Sequence, residues 1–494
     1  MNASKWVTKL VVCFSLTCLA ACAPSSTRPL EQSPTNHITS PIPHRPERIE
    51  GEFEEQTPSA SPPVHSPDHG TRYYFDVNLD YDAKILSVDQ TVSYTNNTGY
   101  TISLLPLRVP PSYQAGVFLL TSLQIEQIQP EMKSEIKGTM IHLQFDPPLE
   151  PGQQIEINLN YQLYPTHGWN TLGYNQRQLL LADWYPMVPP HRDGPGWVIN
   201  PPGQVGEHLA YPLSDIHMNL CLAPTQQPVV IAASAPLADQ ADDCYRYEAQ
   251  QVRNFSLAIS PEYQLATAES DLVTVLAYTF PEHSGLGQRA ADLAVQSWAT
   301  FTDLFGDNQR NFISIVEADI FDGLETDGLI YLSEWYYQTA DPSPRNLFEL
   351  LVVHETAHQW FYAHIHNDQA FEPWLDEALT TYSEVLFYEA NHPQLVDWWW
   401  DYRVAAFEPE GAVNASIYDF YHFRPYINAV YLRGALFLQA LRDEIGDQAF
   451  FEALWHYAQL EGASDHWRTA DDFIGAFSQV SDADLTPIFS EFFQ

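Results

Sequence analysis

From Tyr73 onward the chain alternates. Phe75, Val77, Leu79 and Tyr81 are apolar, and Asp76, Asn78 and Asp80 between them are polar. Ile155, Ile157, Leu159 and Tyr161 repeat the pattern against Glu156, Asn158 and Asn160. Phe255, Leu257 and Ile259 repeat it again. A period of two predicts strands with one buried and one solvated face. Asn96-Asn97 and Pro151-Gly152 are turn signals between such runs. Residues 70–262 therefore read as a β domain, antiparallel and sandwich-like. Within it, the loop Asp183-Trp184-Tyr185-Pro186 could be structural or could edge a cleft.

Beyond 262 the period lengthens. Residues 273–280 and 312–316 read as strands. Residues 285–305 read as an amphipathic helix with Ala290, Leu293, Ala294, Trp298 and Phe301 on one side, closed by Gly306. Ser343 can cap a second helix, Pro344 fits its first turn, and Leu347, Leu350, Leu351 and Ala357 form its apolar stripe. Pro373 suits the start of a third. A fourth starts at Asn428 and runs to Gly446, and residues 450–494 are helical and amphipathic. The expected class is α+β, with residues 263–494 mainly helical around a small mixed sheet.

The second helix carries His354-Glu355-Thr356-Ala357-His358. On a helix two histidines four apart project from one face and can bind one metal ion together. Glu355 lies beside them, placed to take a proton from an attacking water. A zinc site needs a third protein ligand, and the next acidic run is Glu372-Pro-Trp-Leu-Asp376-Glu377-Ala. Glu377 leaves room for the first helix to finish, a loop over about 363–370, and a second helix returning antiparallel. Two histidines and one glutamate leave a coordination position open, which is the catalytic arrangement. His364 competes, since metzincins place a third histidine at this spacing. Their design has glycine three residues after the second histidine; here Phe361 stands there and favours a continuing helix. His364 reads as a loop residue.

His354-Glu-Thr-Ala-His358-Gln-Trp-Phe361 followed by Trp374-Leu-Asp-Glu377-Ala resembles the gluzincin zinc aminopeptidases, the group of alanyl aminopeptidase and leukotriene-A hydrolase. The resemblance covers roughly residues 70–494. It implies an amino-terminal β domain, then a thermolysin-like catalytic domain with one Zn²⁺ per chain held by His354, His358 and Glu377. Phe321-Asp322-Gly323-Leu324-Glu325-Thr326 resembles the family's exopeptidase motif, with Asp322 and Thr326 in place of glycine and asparagine. By resemblance Gly323 and Glu325 bind substrate, Glu325 pairing with its free α-ammonium. Tyr431, ahead of Arg433-Gly434, resembles the family's oxyanion-stabilising tyrosine; Tyr418, Tyr421 and Tyr426 are nearby competitors. Many members continue into a large helical domain, and none is expected here.

Composition adds location. The chain has 22 Lys+Arg and 63 Asp+Glu, a net charge of −41. That argues against nucleic acid and against anionic membrane bound through a basic surface. Residues 1–22 read as a targeting segment. Lys5 and Lys9 precede an apolar run, Leu10 to Ala21, that is too short for a bilayer span of ~20 residues. Its end, Leu19-Ala20-Ala21-Cys22, looks like a bacterial lipobox, which would place lipid on Cys22. Residues 23–69, rich in Pro and Ser, read as a disordered tether that could reach on the order of 140 Å if extended. Cys221 and Cys244 remain; in an exported protein they form a disulfide or sit as two separate buried thiols.

The expectation is a lipid-anchored zinc metallopeptidase of the bacterial cell envelope, its catalytic domain extracytoplasmic. Peptides are its substrates, and the lipid is its one membrane contact. It is foremost an aminopeptidase. A zinc endopeptidase with an open cleft and a non-catalytic binding protein on a peptidase fold are the alternatives.

Overall fold

The structure is a computed structural model that describes residues 70–494, apart from 127–132, 169, 193–195 and 461–466. The targeting segment, Cys22 and the tether lie outside the described residues.

The alternation at the start of the described chain forms Thr71–Asp80, in which Tyr73, Phe75, Val77 and Leu79 are buried while Asp76 and Asn78 are exposed. It lies inside a seven-stranded sheet whose order is Leu237–Ala241, Cys244–Val252, Ser214–Leu222, Thr71–Asp80, Ile85–Thr95, Gln154–Leu163, Phe118–Glu126. Its neighbours pair antiparallel with one exception: Thr71–Asp80 runs parallel to Ser214–Leu222, with Tyr73 opposite Ile216. A parallel neighbour requires a long crossover. Here the chain between the two strands builds most of the other strands of the β region first, so the pairing is invisible to local pattern. Its apolar faces close one continuous core with Trp184 at its centre, the indole Nε1 donating to the Phe255 carbonyl at 2.9 Å. The loop around Asp183 is thus a piece of the core. Cys221 and Cys244 stand directly opposite on paired strands and are joined by a disulfide.

A second, mixed sheet follows, in the order Gln264–Glu269, Thr274–Thr279, Phe312–Ala318, Leu329–Ser333, Gly323–Thr326. Phe312–Ala318 is buried along its whole length, as suits a strand with parallel partners on both sides. Gly323–Thr326 lies at the sheet edge, folded back on Leu329–Ser333 by the turn at Asp327-Gly328. The helix Ser284–Phe305 packs on this sheet and ends at Gly306, whose φ of 86° only glycine adopts without strain.

The motif helix spans Leu347–Ala357 and packs against Ser284–Phe305 and Trp374–Asn391. Both ends differ from expectation. Asn346 caps it, its side chain accepting from the Glu349 amide at 3.1 Å, while the Ser343 hydroxyl closes a separate turn on Arg345. Helix geometry stops at Ala357 and does not continue through Phe361. Trp360 and Phe361 are fully buried. The Trp360 Nε1 donates to the Gly306 carbonyl at 2.8 Å, and Phe361 packs edge-on to Phe305. Anchoring both aromatics in the core turns the chain directly after His358.

Candidate active site

His354 lies in the last turn of the motif helix and His358 caps it, so both rings face Glu377, in the first turn of Trp374–Asn391. Glu377 Oε2 is 3.5 Å from His354 Nε2 and 3.6 Å from His358 Nε2. It is buried and has no hydrogen-bond partner among the described residues, as is Glu355 Oε2. Atoms each ~2.1 Å from a tetrahedral zinc lie about 3.4 Å apart. The spacing, the orphaned acceptor and the two-histidine, one-carboxylate donor set fit zinc.

The far sides of the rings are fixed. His354 Nδ1 meets Glu384 Oε1 at 2.9 Å, and Glu384 is in turn held by Arg403 at 2.9 Å and by the Trp399 indole at 3.0 Å. His358 Nδ1 meets Asp376 Oδ1 at 2.7 Å, and Asp376 accepts from Gln369 at 2.5 Å. Each carboxylate keeps the Nε2 of its histidine free to face Glu377. Sequence reasoning missed these two supports. Glu384 was findable: it follows Glu377 by two helical turns and shares its face.

The site carries an excess of buried acid. Burial, then the charges of Glu207, Glu377, Glu355 and Asp376, pushes Glu325 well above the carboxylate range. Burial and the Glu377 charge do the same to Asp376. Burial lifts Glu355 to about 7 against the pull of the two histidines. Burial opposes protonation of His354, yet the Glu377 and Glu384 carboxylates beside it raise it to about 10. Burial would raise Glu377 too, but the adjacent His354 and His358 outweigh it and leave it lowered. Without a cation, protons must balance these carboxylates, so the cavity is built for positive charge.

The strand Gly323–Thr326 forms one wall. A Cβ on Gly323 would meet the Glu355 carboxylate and lie 2.7 Å from its Cδ, so only glycine leaves Glu355 where it stands. Glu325, two residues on and on the same strand face, is buried, and its carboxylate groups within 4.8 Å with atoms of Glu355 and His358. Asp322, where the family's glycine is expected, takes φ 67° and hydrogen-bonds the Tyr336 hydroxyl. Aspartate is among the residues that tolerate this region. Thr326, in the asparagine position, closes the hairpin on the Leu329 carbonyl at 2.6 Å.

Glu207 was not foreseen. Its carboxylate groups with Glu325 and Glu377 within 4.8 Å. Burial, then Glu377 and Asp376, pushes it up to about 8. It comes from the loop Asn200-Pro-Pro-Gly-Gln-Val-Gly206-Glu207 of the β region. Gly206, at φ 67°, seats the loop against Ile417 and Tyr426: a Cβ there would lie 2.8 Å from the Tyr426 hydroxyl. The glycines and prolines just ahead of a glutamate were the available signal.

The opposite wall is a helical run, Phe423–Tyr426, then a π-helix Ile427–Leu432, then Arg433–Ile445. Tyr431 donates to Glu377 Oε1 and its ring stacks on His354 with 6.0 Å between centroids. Tyr426 is buried beside it, its hydroxyl without a hydrogen-bond partner among the described residues. Tyr418 is spent on the Pro201 carbonyl at 2.8 Å, and Tyr421 is 78 % exposed. Gly434 lets this wall approach the glutamate helix; a Cβ would sit 3.2 Å from the Ala378 Cα. His364 belongs to none of the metal-type groups among the described residues. Burial and the charges of Arg310, Arg253 and Arg468 lower it to about 4.

Residues 321–492 match the Peptidase family M1 domain. No curated protein matches the chain. Among solved structures the chain resembles the M1 zinc metallopeptidase of Deinococcus radiodurans, at 17 % identity, TM-score 0.60, over 86 % of this chain and 94 % of that one. A Glu-to-Ala mutant of that protein gives 18 % identity and TM-score 0.60 over the same shares. Another crystal of the mutant, bound to a Tyr-Ser-Ala substrate, gives 17 % and 0.58, again over 86 % and 94 %. At such identity the likeness is one of fold. The metal-type donor set lies inside the matched segment: residues 321–492 are a peptidase family M1 domain, and the chain is a zinc-dependent metallopeptidase.

Proposed function

We propose that the chain is an aminopeptidase that removes amino-terminal residues from peptides. The observation that carries this reading is the meeting of Glu325 and Glu207 with Glu377 within 4.8 Å. Carboxylates in excess of the metal's needs, Glu325 buried and Glu207 half-buried, call for a second cation, and a substrate α-ammonium supplies it. In this reading His354, His358 and Glu377 hold the zinc. When bound, zinc supplies Lewis acidity toward the scissile carbonyl and makes an attacking water more acidic. Glu355 takes the proton of that water and delivers it to the leaving amine. Tyr431 turns its hydroxyl to the developing oxyanion. Glu325 and Glu207 fix the register by holding the amine, and Gly323 gives the substrate backbone room beside Glu355.

The reading extends to location. The pattern ending in Leu19-Ala20-Ala21-Cys22 supports a lipid on Cys22, with residues 23–69 as a tether holding the enzyme outside the cytoplasm at a bacterial envelope membrane.

The test is a free peptide against its amino-acetylated twin, with mass-spectrometric mapping of the cuts. A charge-assisted contact of about 1.5–3 kcal/mol corresponds to roughly ten- to a hundred-fold in kcat/KM in favour of the free amine. Glu325→Gln should lose about that factor on free peptides and little on acetylated ones. Equal cleavage of both twins with internal cuts would make the enzyme an endopeptidase.

A further inference from the structure

We infer that Phe321 and Phe423 form the subsite for the first residue after the scissile bond and select a large apolar side chain there. This rests on the aminopeptidase reading and names the class of leaving residue. The site has a direction. The amine end is marked by Glu325 and Glu207, and the reacting centre by Glu355, which Gly323 touches. Going from Glu325 back to Gly323 covers two residues, roughly 6.6 Å of strand. That is the step from a substrate's amine past its first carbonyl. The leaving residue then lies beyond Gly323, toward Asp322 and Phe321.

What the chain offers there is aromatic and open. Phe321 is 72 % exposed and Phe423 is 52 % exposed, unusual for phenyl rings. Their centroids are 6.1 Å apart with planes tilted by 47°. Phe321 precedes the strand wall across the turn at Asp322, and Phe423 begins the helical run that carries Tyr431, so the pair comes from both walls of the site. Asp322, next to Phe321 in the chain, accepts from the Tyr336 hydroxyl. An apolar side chain seated on the two rings removes apolar surface of both partners from water, whereas an acidic one meets the excess of acid beside it, Glu355 and Glu325 included.

The experiment is a series of free-amine tripeptides with leucine first and glycine last, varied in the middle, with kcat/KM measured for each. Partial burial of a phenyl or isobutyl group predicts that Leu-Phe-Gly exceeds Leu-Gly-Gly by roughly ten-fold. Leu-Asp-Gly should fall below both. In the double variant Phe321→Ser, Phe423→Ser the Phe-to-Gly ratio should collapse to within about two-fold of one, and thermal melting should report that the variant is folded. The single variants Phe321→Leu and Phe423→Leu should give intermediate ratios. A wild-type profile flat across the middle residue, or a double variant that retains the ratio, overturns the inference. Acetylated twins run alongside keep the two readings apart. If acetylated peptides are cut as well as free ones, the aminopeptidase reading fails, and the residue found after each mapped cut still decides the subsite.

Discussion

Replacing Gly323 with alanine adds one methyl group, and the structure says where it goes. The new Cβ would lie 2.7 Å from the Glu355 Cδ. Ordinary carbon contacts are ~3.5–4.0 Å, so the glutamate must retreat by about 1 Å. It can do so, since its Oε2 has no hydrogen-bond partner among the described residues to hold it in place. Stability should therefore change little, with the melting temperature within a few degrees of the wild type. Catalysis should not escape. A misplacement of about 1 Å in a reacting group costs on the order of a hundred-fold, which is about 2.7 kcal/mol of activation free energy. The zinc ligands stay where they are, so metal content should stay at one ion per chain. The assay is kcat and KM on a free peptide, with metal analysis and thermal melting on the same preparation. An alanine variant within three-fold of wild-type kcat would refute the placement of Glu355 against the strand. So would a variant that loses its zinc, because the damage would then lie in the metal set.

Other substitutions probe the remaining parts. Glu355→Gln should keep zinc and lose nearly all turnover, read from metal content and kcat together. Glu377→Ala should lower zinc occupancy well below that of His364→Ala; the opposite result would transfer the third ligand to His364. Glu384→Gln removes the anion behind His354 and should weaken zinc about 10- to 100-fold in a chelator competition, without shifting the free-over-acetylated preference. Cys22→Ser should move the protein from the membrane fraction to the soluble one, and metabolic palmitate labelling should mark the wild type and not the variant.

Much of the site was legible because its parts are local. The two histidines sit one helical turn apart and Glu377 opens the next helix, so spacing together with the family resemblance named the three residues that the fold brings to one another. Alternation announced Thr71–Asp80 and Gln154–Leu163 for the same reason: it is a property of neighbours along the chain. What stayed hidden depends on distant pairing. The parallel match of Thr71–Asp80 to Ser214–Leu222 joins segments far apart in sequence. Glu207 reaches the site only because its loop packs against Ile417 and Tyr426. The end of the motif helix at Ala357 follows from where the core accepts Trp360 and Phe361, not from helix propensity.

The origin of Glu207 divides the work of the enzyme. The three metal-type ligands, Glu355 and Tyr431 all follow residue 263, whereas one of the two carboxylates assigned to the substrate amine is delivered by a loop that precedes it. On the proposed reading, bond breaking belongs to one stretch of chain, whereas end counting is shared between that stretch, through Glu325, and an earlier loop, through Glu207. The acid at 207 can change while His354, His358 and Glu377 keep their places, because none of the three is held by a hydrogen bond to it. If Glu207 measures the substrate's end as proposed, a change in that one loop loosens the grip on the amine while the groups that break the bond stay unaltered.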